Sequence, residues 1–347
     1  MSTTMKTTTY SCMITGKHQV EVTSQQVDYQ GTGTLVRITR GGICGSDLHY
    51  YQHGKVGSFA VKMPMILGHE VIGYVVKSDN PELQENQKVA VNPSKPCGHC
   101  KYCEAGQENQ CTTMRFFGSA MYFPHVDGGF SQYKIVDTAQ CIPFNHQADD
   151  RVMVFAEPLA VCIHATHQAG DLQDKKVFIS GVGPIGCLIA AAAKARGAAE
   201  VVCADISPRS LSMAEAMGAT QTIDAANGDF TPFLADKGYF DVSFEASGHP
   251  ASLTRCLEVT RAKGTLVQVG MGGDVPGFPI MMLIAKEINL VGSFRFTHEF
   301  ATAVEWLEKG TINPLPLYSG EFDYHEIDAA LNFAGDKQKA AKVQLCF

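Results

Sequence analysis

The chain reads as an α/β protein in two parts: a doubly wound parallel sheet over residues 158–292, and a mainly β part built from residues 1–157 together with 293–347. Three observations carry this reading. At 347 residues the chain exceeds what one ordinary hydrophobic core encloses. Before Phe155 the apolar residues alternate in short runs broken by glycine, the period of half-buried antiparallel strands. Beyond it, apolar strand runs alternate with helical stretches, the pattern of βαβ units and a parallel sheet.

In chain order, Gln19-Val20-Glu21-Val22 and Leu35-Val36-Arg37-Ile38 are strands, with Gly31 and Gly33 in the turn between them. The stretch from Gly41 and Gly42 through Ile43, Cys44, Gly45, Ser46, Asp47, Leu48, His49, Tyr50 and Tyr51 gathers thiol, hydroxyl, carboxylate, imidazole and phenol groups, and reads as a loop. His69 and Glu70 then open an apolar strand. Thiolate, imidazole and carboxylate are the ligand types of a catalytic zinc, so Cys44, His69 and Glu70 are candidate ligands. A short strand over 88–93 leads to Cys97, Cys100 and Cys103, with Cys111 further on. Three thiols at intervals of three gather on one tight turn and a fourth closes a tetrahedron. Four thiolates without an open position define a structural zinc site, in a lobe over 94–112. An iron–sulfur cluster uses similar spacing, but the Pro that usually follows its last cysteine is absent. Disulfide pairing is the third reading. Further on, Phe117 either fills a β core or lines a pocket.

At Glu157-Pro158 the composition turns helical. Pro158 suits a first helical turn, where its missing N–H is not needed. Glu157 sits at or beside the N-cap, where free N–H groups favour a carboxylate; it is also a candidate to face the metal or its bound water. A buried-strand run to Ser180 enters Gly181-Val182-Gly183-Pro184-Ile185-Gly186, an Ala-rich helix follows, and Asp205 ends the next strand about 20 residues on. In that context the glycines let the backbone approach a pyrophosphate and Asp205 takes ribose hydroxyls. A carboxylate there favours NAD, while Arg209 leaves room for NADP. Strands over 240–245, 264–270 and 288–293 continue the sheet, with a helix over 251–260. Arg295 lies just past them, where it can meet cofactor or substrate. A helix over 299–308 carries the one Trp, and a strand over 341–347 returns to the first part.

The net charge of −7 and a pI near 5.9 argue against nucleic acid or an anionic membrane as partner. No apolar run reaches the roughly 18 residues of a membrane-spanning helix, and the Thr-rich start lacks the apolar core of a secretory signal. Twelve cysteines in such a chain point to a reducing, cytoplasmic setting in which clustered thiols hold metal.

Together, GGICGSDLHYY, LGHE, EPLAVCIHA, GVGPIG and the Cys97/Cys100/Cys103/Cys111 cluster resemble the zinc-containing medium-chain dehydrogenases, and within them the polyol group typified by sorbitol dehydrogenase. The resemblance spans essentially the whole chain. It implies a GroES-like catalytic domain formed by both termini, a Rossmann domain inserted between, one catalytic and one structural zinc ion, NAD or NADP as cofactor, and a homotetramer or dimer. It implies zinc ligands Cys44, His69 and Glu70, with Glu157 as a direct or water-bridged fourth partner, and a proton relay through Ser46 and His49. Tyr50, Glu157 and Arg295 match substrate-side positions; Phe296 stands where the sorbitol pattern often has Tyr. Cofactor contacts fall on Ile185, Asp205, Val269, Gly270, Met271 and Phe294. The implied substrate is a secondary alcohol of a sugar acid or a polyol. A noncatalytic sensor of the same fold has no need of Ser46 and His49.

Overall fold

The computed structural model describes residues 4–273 and 275–347. They group into two compact units. One runs to Glu157 and takes up Phe300–Lys309 and Tyr318–Phe347; the other comprises Pro158–Glu299 and Gly310–Leu317. Where the sequence suggests a return at Ser293, the chain stays with the second unit up to Glu299. Two bonds account for this: Ser293 N–H donates to Gln268 O, and Glu299 accepts from His164 Nδ1.

The first unit is organised on a seven-stranded sheet. Its path runs Cys141–Pro143, Lys88–Val91, Glu70–Ser78, Thr34–Gly42, Lys342–Cys346 and Tyr318–Asp323, and Tyr133–Val136 also pairs with Thr34–Gly42. The C-terminal strand thus returns to the first part, with Gln344 opposite Gly42. On its other side Gly42 lies opposite Glu70. This register brings the end of one strand and the start of another together at one edge, with Lys342 opening the third. Gly42 has a packing reason to be glycine: a Cβ there would lie 2.2 Å from Glu70 Oε2. A smaller sheet of Gln19–Tyr29, Met5–Gly16 and Met65–Ile66 lies beside it in sequence, and Ile14, Ile38, Leu67, Phe130 and Leu345 share one buried core.

The stretch read as a loop is a helix, Gly45–His53. Glycine content misled there, because Asp47 supplies what the helix start needs: its Oδ2 accepts from Cys44 N–H at 3.0 Å. Gly54 ends the helix in the left-handed region at φ 68°, its N–H returning to Tyr50 O.

The second unit is a six-stranded, all-parallel sheet in the order Gln221–Asp224, Glu200–Asp205, Lys176–Ser180, Phe240–Glu245, Thr260–Gln268, Asn289–Gly292. Strand order reverses beside Lys176–Ser180, the position where such sheets open a crevice at their carboxyl ends. Helices Pro184–Ala195, Pro208–Ala216 and Pro250–Val259 each begin with proline, whose missing N–H would be unbonded there in any case. Between them Phe178, Phe240 and Leu266 are fully buried.

Candidate metal centre and dinucleotide site

Cys44 ends the approach to helix Gly45–His53, and His69 and Glu70 stand where the strand Glu70–Ser78 begins. The ligand atoms of the three lie within 4.8 Å of one another. Asp47, fully buried, ties the two segments: beyond Cys44 N–H it accepts Gly68 N–H on Oδ1 at 3.0 Å. Glu70 is equally buried, and both its oxygens accept from Lys342 Nζ at 2.7 Å. Lys342 spends a third proton on Ile43 O at 3.2 Å. Glu157, in the first turn of helix Ala156–Gln168, is also buried but lies outside the tight trio.

The charges of this group are unbalanced. Burial pushes the Cys44 thiol up to about 11, and the Glu70 charge adds to that, against Lys342. Burial likewise raises Glu157 to about 8; His69 opposes the rise, and Glu70 and Cys44 reinforce it. Burial alone would lower Lys342, but Glu70 and then Cys44 hold it above the usual lysine range. Once Cys44 and Glu157 ionise, a thiolate and two carboxylates around one ammonium are short of positive charge. A divalent cation supplies it, and a sulfur, a nitrogen and an oxygen donor with an open fourth position are the donor set of a catalytic zinc. The residues fit the ion.

The four-cysteine lobe fits a second one. Cys100 Sγ lies 3.6 Å and Cys97 Sγ 3.9 Å from Cys103 Sγ, close to the ~3.8 Å edge of a tetrahedron with Zn–S bonds of about 2.3 Å. A disulfide needs about 2.05 Å, and all twelve cysteines are free. N–H groups of Cys103 and Thr112 hold the Cys100 thiol down to about 5, while burial and the neighbouring thiols push Cys103 up to about 12, as thiols that share one site do when no cation compensates them. His99 is exposed, its Nδ1 on Cys97 O.

Other expected residues divide. Ser46 is half-buried and His49 exposed on one helix, three residues apart; partial burial, then the charges of His53 and Lys337, hold His49 below its ordinary range. The Tyr50 ring is in the core and its hydroxyl accepts Ala120 N–H at 3.0 Å, a scaffold contact. Phe117 does both things the sequence allowed: it is buried with Lys134 Nζ 4.4 Å above its ring, and it lines a cavity with Lys95, Arg115 and Asp137. The ring that approaches His69, at 5.5 Å, is that of Phe116.

In the second unit, Gly181 takes φ 88° and a Cβ would meet Ser247, while a Cβ on Gly186 would lie 2.0 Å from Gly181 O. Gly183 caps helix Pro184–Ala195 without a Cβ contact, leaving its first N–H groups approachable beside Ile185. Asp205 accepts Val182 N–H and Ser207 N–H, both at 2.8 Å, so it also shapes the loop. Arg209 falls in the first turn of Pro208–Ala216. Val269 and Gly270 donate to Glu245 O, and Met271 and Phe294 are exposed. Arg295 holds φ 53° with its guanidinium 4.9 Å over the Phe294 ring. Phe296 is buried.

Asp47, Lys342 and Phe116 carried no assignment from sequence. Asp47 alone had a local signal, an acidic residue three positions past Cys44.

Fold and site together define a zinc-dependent dehydrogenase, and the comparisons agree. The pattern of the zinc-binding dehydrogenases matches residues 184–309 and that of the alcohol dehydrogenase GroES-like domain matches residues 30–146; the chain belongs to this family. It is 66% identical to L-idonate 5-dehydrogenase (NAD(P)(+)) of Escherichia coli K12 over 99% of this chain and 100% of that one. The crystal structure of L-idonate 5-dehydrogenase from E. coli K-12 superposes with a TM-score of 0.99 at 65% identity, covering 100% of both chains. The chain is 35% identical to a probable D-xylulose reductase A of Aspergillus terreus, over 92% of this chain and 93% of that one.

Proposed function

We propose that the protein interconverts L-idonate and 5-keto-D-gluconate, oxidising the C5 alcohol with NAD or NADP. The observation that carries the reaction class is the Cys44–His69–Glu70 trio, its thiol half-buried and its imidazole and carboxylate buried, with all three ligand atoms within 4.8 Å of one another. The substrate follows from the full-length likeness to the E. coli enzyme. Zinc in the trio supplies Lewis acidity that lowers the pKa of an alcohol, and the nicotinamide supplies the hydride acceptor. The chain's own residues do the rest. Lys342 neutralises Glu70 and fixes both its oxygens. Asp47 fixes the two backbone segments that present Cys44 and His69. Ser46 and His49, one helical turn apart, take the hydroxyl proton outward. Glu157 faces the metal or its bound water. Arg295 pairs with the substrate carboxylate. The catalytic domain comprises 1–157, 300–309 and 318–347 with the lobe 94–112, and the Rossmann domain 158–299 with 310–317.

The protein acts as a homo-oligomer, a dimer or tetramer. Asn289–Gly292 is an edge strand with Leu290 exposed, and Ile280, Met281 and Ile284 of the neighbouring helix Ile280–Lys286 are exposed too. The net charge of −7 disfavours nucleic acid as a partner, and we place the protein in the cytoplasm; no helix among the described residues is long and apolar enough to cross a membrane. The test is purified protein with zinc counted per subunit, assayed on L-idonate, 5-ketogluconate, sorbitol and xylitol with NAD and NADP. Idonate should lead in kcat/KM. If xylitol or sorbitol led, the second reading, a general polyol dehydrogenase like the xylulose reductases it resembles, would replace it.

A further inference from the structure

The four-cysteine lobe and the Cys44–His69–Glu70 trio belong to one unit, and the Phe116 side chain meets both. Phe116 sits in the short strand Arg115–Phe116, which pairs antiparallel with Ser94–Lys95, Phe116 opposite Ser94. The next residue, Phe117, donates its N–H to Pro93 O at 3.1 Å. These bonds bracket the lobe: the chain enters it at Ser94 and leaves it at Phe116. Inside, Phe116, Cys111 and Met114 form one buried apolar cluster, with Cys97, Cys100 and Cys103 packed against it. The same Phe116 ring lies 5.5 Å from the His69 imidazole, tilted by 52°. His69 is buried, and its neighbour Glu70 is locked by Lys342. The imidazole can therefore turn only about its own side-chain torsions, and Phe116 occupies space on one side of it.

We propose that Phe116 is a positioning residue through which the four-cysteine lobe sets the orientation of His69, so that a metal in the lobe tightens the hold of the Cys44–His69–Glu70 trio on its own metal. This rests on the reading that both sites hold zinc. The physical link is close packing: four thiolates drawn onto one ion fix the turn from Cys97 to Cys103 and the position of Cys111, and the apolar cluster fixed with them includes the Phe116 ring. Interiors packed at near-crystal density do not absorb such a displacement softly. Groups that orient a metal ligand without touching the metal are worth about 10–100-fold in affinity, and a packing contact belongs at the low end, about tenfold.

The test uses the zinc-loaded protein and follows zinc release to a coloured chelator, with the Cys44→Ser variant identifying the phase that belongs to the lobe. Phe116→Ala should release the trio's zinc about tenfold faster, read in the phase that Cys44→Ser lacks, and cobalt substituted at the trio should show shifted visible bands. kcat should fall and KM for NAD stay constant. Phe116→Leu, which keeps apolar bulk, should recover most of the release rate. Cys103→Ser, which opens the lobe, should speed release from the trio in the same direction. Release from the trio at the wild-type rate in either Phe116→Ala or Cys103→Ser overturns the proposal. A wild-type protein that binds zinc in the lobe alone overturns the proposed function itself, and the inference falls with it for that separate reason.

Discussion

The Lys342–Glu70 pair allows a prediction with a worked magnitude. Both side chains are almost wholly buried, and the ammonium meets both carboxylate oxygens at 2.7 Å. Lys342→Met keeps the length and most of the apolar stem, so no cavity opens and the change isolates the charge. It leaves Glu70 beside the Cys44 thiol and Glu157 with only His69 to offset it. Removing one member of a buried pair costs about 3–5 kcal/mol, because the survivor is an uncompensated charge. The pair lies in a unit of about 200 residues, for which 1 kcal/mol moves Tm by roughly 2–4 °C. Metal-free Lys342→Met should therefore melt roughly 6–20 °C below metal-free wild type. In the zinc-loaded protein the cation takes over part of the neutralisation, and the gap should narrow. Calorimetry of the four samples decides it. A metal-free variant melting within about 2 °C of wild type would mean that Glu70 is solvated or protonated without Lys342, and the account of the site's charge balance would be wrong.

Three further outcomes follow from the same geometry. Glu299 is buried, with Oε1 on His164 Nδ1 and His167 Nδ1, both 2.9 Å, and Oε2 on Thr297 N–H; burial alone would raise it, but the two histidine bonds and then Thr297 hold it well below the usual carboxylate range. A depressed folded pKa means the stabilisation is complete above the unfolded value of about 4.3 and is lost as pH falls below it, so the deficit of Glu299→Gln, about 2 kcal/mol at neutral pH, should shrink in denaturant titrations below about pH 4, and a deficit constant down to pH 3 would reject the assignment. Asp205→Ser should raise KM for NAD at least about tenfold and lower that for NADP, since the carboxylate both holds ribose and repels a 2′-phosphate; unchanged cofactor preference would remove Asp205 from recognition. Arg295→Ala should cost roughly 30–100-fold in kcat/KM on idonate, the worth of a charged pair, and little on sorbitol or xylitol; equal losses on both would reject a contact to the carboxylate.

How much of this was legible beforehand depended on how local the cause is. The dinucleotide unit was readable because each element declares itself within a few residues: glycines where a Cβ collides, proline at the helix start, an acidic strand end. The cysteine lobe was readable from spacing alone. In the Gly41–Tyr51 stretch the glycines read as turn formers, yet the stretch is a strand end followed by a helix. Gly42 is extended strand, and its reason for being glycine is Glu70, which only the sheet register brings opposite.

Lys342 shows where local reasoning stops. In Lys342–Cys346 the residues Lys342 and Gln344 alternate with Val343 and Leu345, which by period-two logic puts the polar pair toward water. Yet all four are buried: the strand is interior to its sheet, between Thr34–Gly42 and Tyr318–Asp323, and the side chains on both of its faces are packed. An alternating pattern on an interior strand means that the second face is polar and packed, and a polar residue there must have a partner. Gln344 donates to Arg151 O at 2.8 Å, and Lys342 has Glu70. That Lys342 serves the metal trio follows from a pairing that joins the two ends of the chain, and no window of sequence short enough to scan contains both residues.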